Sequence, residues 1–148
     1  MTFAIDRIDH VVINCRDVEA TAQWYSSVLG MSVERFGPHR RVALKFGLQK
    51  INLRPTGADN WHTAEVDSPG SEDLCFVTTD PIADVVDHFA RLGVIVVDGP
   101  VEKIGALGLM TSVYCRDIDG NLVEVARYPD SDENMRNGHV SGAGPDSR

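Results

Sequence analysis

Four polar residues stand inside strand-like runs of an otherwise apolar pattern: His10, Asn52, Asp73 and Glu124. An imidazole and two carboxylates form a ligand set for a divalent cation with positions left open for water or substrate. Glu124 interrupts the apolar run Leu122–Val125. A carboxylate there needs a partner, because burying an unpaired charge is costly. His10 opens a β-branched run, and strand alternation sends it to one face and Asp9 and Val11 to the other.

These residues recur because the chain repeats itself. Residues 8–36 and 71–99 align at a constant offset of 63. Asp17 then meets Asp80, Ala20 meets Ala83, Leu29 meets Leu92, Gly30 meets Gly93, and His10 falls opposite Asp73. A duplicated unit points to two packed copies with a shared site between them, built from equivalent strand positions. In that scheme the counterpart of Glu124 is Asn52.

Each copy reads βαβββ, an α+β architecture. In the first, Ile8–Asn14 is a short buried strand, and Asp17 caps a helix over Val18–Leu29 that Gly30 terminates. Strands follow at Met31–Phe36, Arg41–Phe46 and Lys50–Arg54. In the second, Asp80 caps, with Pro81 at the first helical position, a helix over Ile82–Leu92. Its strands are expected at Val94–Val97, extending to Val101–Ile104, then Met110–Arg116 and Asn121–Arg127. Asp117-Ile118-Asp119-Gly120 is a hairpin signal. The domain is expected over 1–128, with module 1 at about 5–54, a linker at 55–70 and module 2 at about 71–128. Residues 129–148 are polar, carry few apolar side chains and read as a disordered tail.

Bulk properties narrow the function. The 148 residues, 43% hydrophobic, are enough for one real core. The net charge of −8 argues against a nucleic-acid or anionic-membrane partner, since both demand a basic face. Cys15, Cys75 and Cys115 show no CxxC spacing and read as buried reduced thiols. The first residues lack the pattern of a signal peptide, and no apolar run approaches the ~20 residues of a membrane helix. A cytoplasmic location is the expectation.

The pieces IDHVVINCRDVEATAQWYSSVLGM and SVYCRDIDGNLVEVARY resemble the vicinal oxygen chelate superfamily. That group includes glyoxalase I, extradiol ring-cleaving dioxygenases, fosfomycin-resistance transferases and bleomycin-resistance proteins. The resemblance spans about residues 5–128. The run Gly105-Ala106-Leu107-Gly108 is similar to that of short glyoxalase-domain proteins related to the dioxygenases.

The resemblance implies paired βαβββ modules curved into a cup around a metal that binds two adjacent substrate oxygens. It implies a homodimer as well. By position, His10 and Glu124 are ligands, Asp73 replaces a second His, and Asn52 replaces a Glu that ligates and acts as base in glyoxalase I. The ion implied is Ni, Zn, Mn or Fe. Tyr114 keeps the ten-residue spacing to Glu124 of a substrate-contacting Tyr in the dioxygenases, against the plainer reading of an aromatic that fills the cup.

Three functions follow as expectations. The first is a glyoxalase-type lyase or isomerase, with Glu124 and Tyr114 in the catalytic machinery and His10, Asp73 and Glu124 on the metal. The second is a ring-cleaving dioxygenase. The third is a metal-free small-molecule binder. Arg40, Arg41 and Arg54 are further candidates for an anionic substrate, and Trp61 and His62 for a cup wall or dimer contact. His39 and His88 read as surface or helix residues, and His139 lies in the tail.

Overall fold

A computed structural model describes residues 2–130. Beyond residue 130 the expected tail, with His139, lies outside the described residues. The element order is β1 (His10–Cys15), α1 (Val18–Leu29), β2 (Ser32–Phe36), β3 (Arg41–Phe46), β4 (Gln49–Pro55), β5 (Asp73–Val77), α2 (Ile82–Arg91), β6 (Asp98–Gly105), β7 (Gly108–Arg116) and β8 (Leu122–Arg127). Two four-stranded sheets result, ordered β1-β4-β3-β2 and β5-β8-β7-β6. In each, the first strand pairs parallel with the last and the other pairs are antiparallel.

The repeat holds at the level of register. Val12 pairs with Asn52 in the first sheet, and Cys75 pairs with Glu124 in the second. Val12 and Cys75 stand 63 residues apart, so Asn52 and Glu124 are structural counterparts.

Helix α1 forms as its sequence dictates. Asp17 is extended (φ −136°, ψ 106°), and its carboxylate accepts from the Ala20 amide at 2.9 Å. Thr21, Ala22, Tyr25 and Val28 make the buried stripe. Gly30 ends the helix at φ 67°, a left-handed conformation that suits glycine.

Helix α2 departs from expectation at its start. Pro81 is the N-cap, and Asp80 makes no capping bond. Proline fixes the turn, so the Pro81 carbonyl accepts from Asp84 and Val85, while the Asp80 carboxylate meets the Thr78 hydroxyl at 3.3 Å. The segment Val94–Val97 is not a strand. Val94 donates back to the Phe89 carbonyl at the helix end, so the ladder begins only at Asp98. The apolar alternation survives there as packing, with Val94 and Val96 against the core.

One core joins both modules. Ile13, Leu44, Ile51 and Leu53 from the first sheet share a cluster with Val113, Val123 and Val125 from the second, with Tyr25 and Phe89 from the helices. Phe46 and Phe76 meet edge to face at 5.4 Å between centroids. Polar bonds add direction. The buried Tyr25 hydroxyl donates to Asp117 at 2.8 Å, Arg16 pairs with Asp119 at 3.0 Å, and His88 Nε2 meets the Val28 carbonyl at 3.0 Å. His88, a helix residue as expected, thus bridges α2 to α1.

Two stability predictions follow. Asp17→Ala loses a cap and costs about 1 kcal/mol in urea unfolding, whereas Asp80→Ala stays within about 0.5 kcal/mol. Tyr25→Phe keeps the ring but strips a donor from a buried carboxylate, and destabilises by about 1–3 kcal/mol in the same measurement.

Candidate metal centre

Strand register assigns each side chain to a face. The faces turned away from the helices carry the polar groups. On the first sheet these are His10, Asn14, Arg41, Lys45, Lys50, Asn52 and Arg54, with Glu34 the acid among them. On the second they are Asp73, Cys75, Asp98, Ser112, Tyr114 and Glu124, with Lys103 and Arg116. The first face is therefore mainly basic, and the second holds the acids.

His10 opens β1 with its side chain 45% exposed. Asp9 precedes the strand, so alternation does not carry it away; its carboxylate lies 2.8 Å from His10 Nδ1. In a neutral ring, a carboxylate at Nδ1 favours the tautomer whose Nε2 lone pair can take a metal.

Glu124 is 8% exposed. Its Oε2 accepts from the Cys75 thiol at 3.0 Å and the buried Ser112 hydroxyl at 3.2 Å. Tyr114 faces it directly across the β7–β8 ladder. Burial, then the Glu124 carboxylate, pushes the Tyr114 phenol above its ordinary pKa, so it stays protonated and acts as a donor. The same two causes push the Cys75 thiol up to about 12. Cys15 and Cys115 are buried as expected, but Cys75 is exposed, because β5 turns it to the polar face. Asp73 is exposed too and pairs with Leu122, one step along that face from Glu124.

Asn52 Oδ1 is the one fully buried side-chain polar atom without a hydrogen-bond partner among the described residues. This orphaned oxygen sits where the second module has Glu124. With the free imidazole nitrogen and two carboxylates, the donor chemistry fits a divalent cation. The donors are nonetheless divided between sheets. Among the described residues, no three His, Cys, Asp or Glu side chains come together as a metal cluster within one chain. His10 and Cys75 do line one cavity of about 240 Å³ between the modules, with Lys50, Phe46 and Phe76.

The arginine candidates separate. Arg54 is 4% exposed and fully engaged: Asn14 and Asp67 at 2.9 Å, the Ala58 carbonyl at 2.8 Å and the Trp61 carbonyl at 3.2 Å. It clamps the linker onto the first sheet and is not free for a substrate. Arg41 stacks on Trp61 at 3.9 Å, so Trp61 walls this face. Arg40 and His39 lie in the exposed β2–β3 turn, and His62 is exposed on the linker. Asp9, Cys75 and Ser112 were missed as site residues, although alternation from His10, Asp73 and Tyr114 would have placed the last two.

Residues 7–125 match the family described as the Glyoxalase/Bleomycin resistance protein/Dioxygenase superfamily. Among relatives, Virulence protein STM3117 of Salmonella typhimurium is 47% identical, over 84% of this chain and 85% of that one. Glyoxalase domain-containing protein RDO1 of Mycosarcoma maydis is also 47% identical, over 86% and 72%. Biphenyl-2,3-diol 1,2-dioxygenase 3 of Rhodococcus globerulus is 31% identical, over 80% and 62%. Among solved structures, the Vibrio cholerae integron cassette protein VCH_CASS1 superposes with TM-score 0.84 at 42% identity, covering 87% of this chain and all of that one. Lactoylglutathione lyase from Agrobacterium tumefaciens gives 0.65 at 25%, covering 84% and 95%.

The Gly57 amide and then Arg54 hold the Asp67 carboxyl below its ordinary value of 3.8. A lowered folded-state pKa gives stability that is present above 3.8 and lost as pH falls through the folded value. Asp67→Asn should therefore lower the urea midpoint at pH 7, with the difference from wild type shrinking at pH 3.

Proposed function

The chain belongs to the glyoxalase/bleomycin resistance protein/dioxygenase superfamily, and on that premise we propose that it is a divalent-metal enzyme acting on a small molecule with two adjacent oxygens. The observation that carries this reading is Glu124, a carboxylate sunk in a strand with only neutral donors on it and a phenol opposite. His10, Asp73 and Glu124 would hold the ion, and Ni, Zn, Mn and Fe all suit that set. When bound, the ion supplies Lewis acidity to the paired substrate oxygens.

The leading reaction is that of a lyase or isomerase. Asn52 cannot accept a proton from carbon, so the module 1 side of the cup supplies no base at that position. The exposed Asp73 carboxylate is the candidate to take the proton beside a carbonyl and return it to the neighbouring carbon. Tyr114, kept protonated, donates to the oxygen on which charge develops. The solved lactoylglutathione lyase shares this fold and supports the choice. Ring cleavage is the second reading, favoured by Tyr114 facing Glu124 and by the likeness to a biphenyl-diol dioxygenase.

A second copy would complete the site. In one chain His10 stands on the first sheet and Asp73 and Glu124 on the second, and the mainly basic first face complements the acids of the second. Two copies related by a twofold axis would satisfy both faces at once. His10 would then come from one copy, and Asp73 and Glu124 from the other.

Elemental analysis of protein purified without chelator should find a divalent metal, absent from His10→Ala and Glu124→Ala. Mixing these two variants in equal amounts and letting subunits exchange should restore about a quarter of the sites, since half of the dimers are then mixed and each mixed dimer rebuilds one of its two sites from wild-type donors. Unchanged metal content in either variant sinks the ligand assignment, and a mixture that recovers nothing sinks the shared site. Turnover of the methylglyoxal–thiol hemithioacetal is expected. Its absence with every metal discards the lyase reading, and oxygen uptake with catechols would then establish the dioxygenase.

A further inference from the structure

We propose that Cys75 and Ser112 form a two-donor cradle that fixes Glu124 through Oε2 and leaves Oε1 as the oxygen presented to the cup. Residue 75 is then a positioning residue for the ligand carboxylate. This rests on the reading of Glu124 as a ligand, and concerns two side chains to which that reading gives no role.

Three strands build the cradle. On β5, Cys75 is the direct register partner of Glu124, whereas Asp73 pairs one step away with Leu122. On β7, Ser112 lies two residues before Tyr114, which faces Glu124, so its hydroxyl points to the same side. Both donors converge on one atom, at 3.0 Å from the thiol and 3.2 Å from the hydroxyl. Ser112 is fully buried, and Glu124 takes the bond its hydroxyl donates. A buried hydroxyl is retained in a core when it has such a partner.

The chemistry of the donors decides what the cradle does. A cation at Oε2 would neutralise the carboxylate and compete with a metal. A thiol and a hydroxyl are neutral, so they orient the group and leave its charge available. With two donors on Oε2, Oε1 is the oxygen that would be offered to a cation. Fixed orientation of a ligand by outer donors is worth about 10–100-fold in metal affinity. Cys75 also lines the cavity that His10 lines.

The test is Co²⁺ titration of the full chain, followed by absorbance, with thermal melts of each metal-free variant. Cys75→Ala should weaken Co²⁺ binding about 10-fold. Cys75→Ser, which keeps a donor, should restore it to within about 3-fold. Wild-type spectra should show no thiolate-to-cobalt charge-transfer band. Ser112→Ala should weaken binding in parallel; should its melt show that it does not fold, the Cys75 pair decides alone, being at an exposed position. Equal affinity of wild type and Cys75→Ala overturns the cradle while leaving Glu124 a ligand. A charge-transfer band that vanishes in Cys75→Ser overturns it differently, making Cys75 itself a ligand. Failure of wild type to bind Co²⁺, or unchanged binding by Glu124→Ala, removes the metal reading and the cradle with it.

Discussion

Asp117 accepts four hydrogen bonds while only 6% exposed. The backbone amides of Asp119 and Asn121 reach its Oδ1 at 2.9 Å, and the Asn121 side chain and the Tyr25 hydroxyl reach its Oδ2 at 2.7 and 2.8 Å. The first three shape the hairpin that launches β8. The fourth comes from the middle of α1, in the other module. One carboxylate therefore sets the turn, the start of the strand that carries Glu124, and the seat of the first helix against the second sheet. A buried anion is tolerable only when so many donors share it.

Around that anchor the two modules are alike where folding needs them alike. Both end a helix with a left-handed glycine, at φ 67° for Gly30 and 70° for Gly93. Both place their first strand beside their last in the same register. Close contacts enforce the junction: a Cβ at Gly70 would run into the Asp119 carbonyl oxygen, so the linker can pass the hairpin only as glycine. The modules differ on the polar faces, which turn away from the helices. There Asn52 answers Glu124, Val12 answers Cys75, and Ala43 answers Tyr114. The result is one mainly basic face and one that gathers the acids.

Burial and charge also sort the arginines. Arg54 and Arg41 read alike in sequence, as strand cations that could hold an anionic substrate. Arg54 is consumed by the linker it holds, and Arg41 by the Trp61 ring. Neither pairing has a local signature, because the partners lie in a segment without regular structure.

Local rules settle much of this chain. Periodicity, the Asp17 cap, the Leu-Gly stops and the Asp-x-Asp-Gly turn give the element order, and alternation places His10, Asn52, Asp73 and Glu124 on polar faces. They fail at Asp80 and at Val94–Val97, where a proline geometry and a bond back to the helix end override the pattern. Only the tertiary structure shows that Asp9 turns back onto His10, that Cys75 and Ser112 converge on Glu124, and that His10 stands on one sheet while Asp73 and Glu124 stand on the other. The physical reason is range. Which face a side chain takes follows from its own strand, but which atoms it meets depends on strands brought together from elsewhere in the chain.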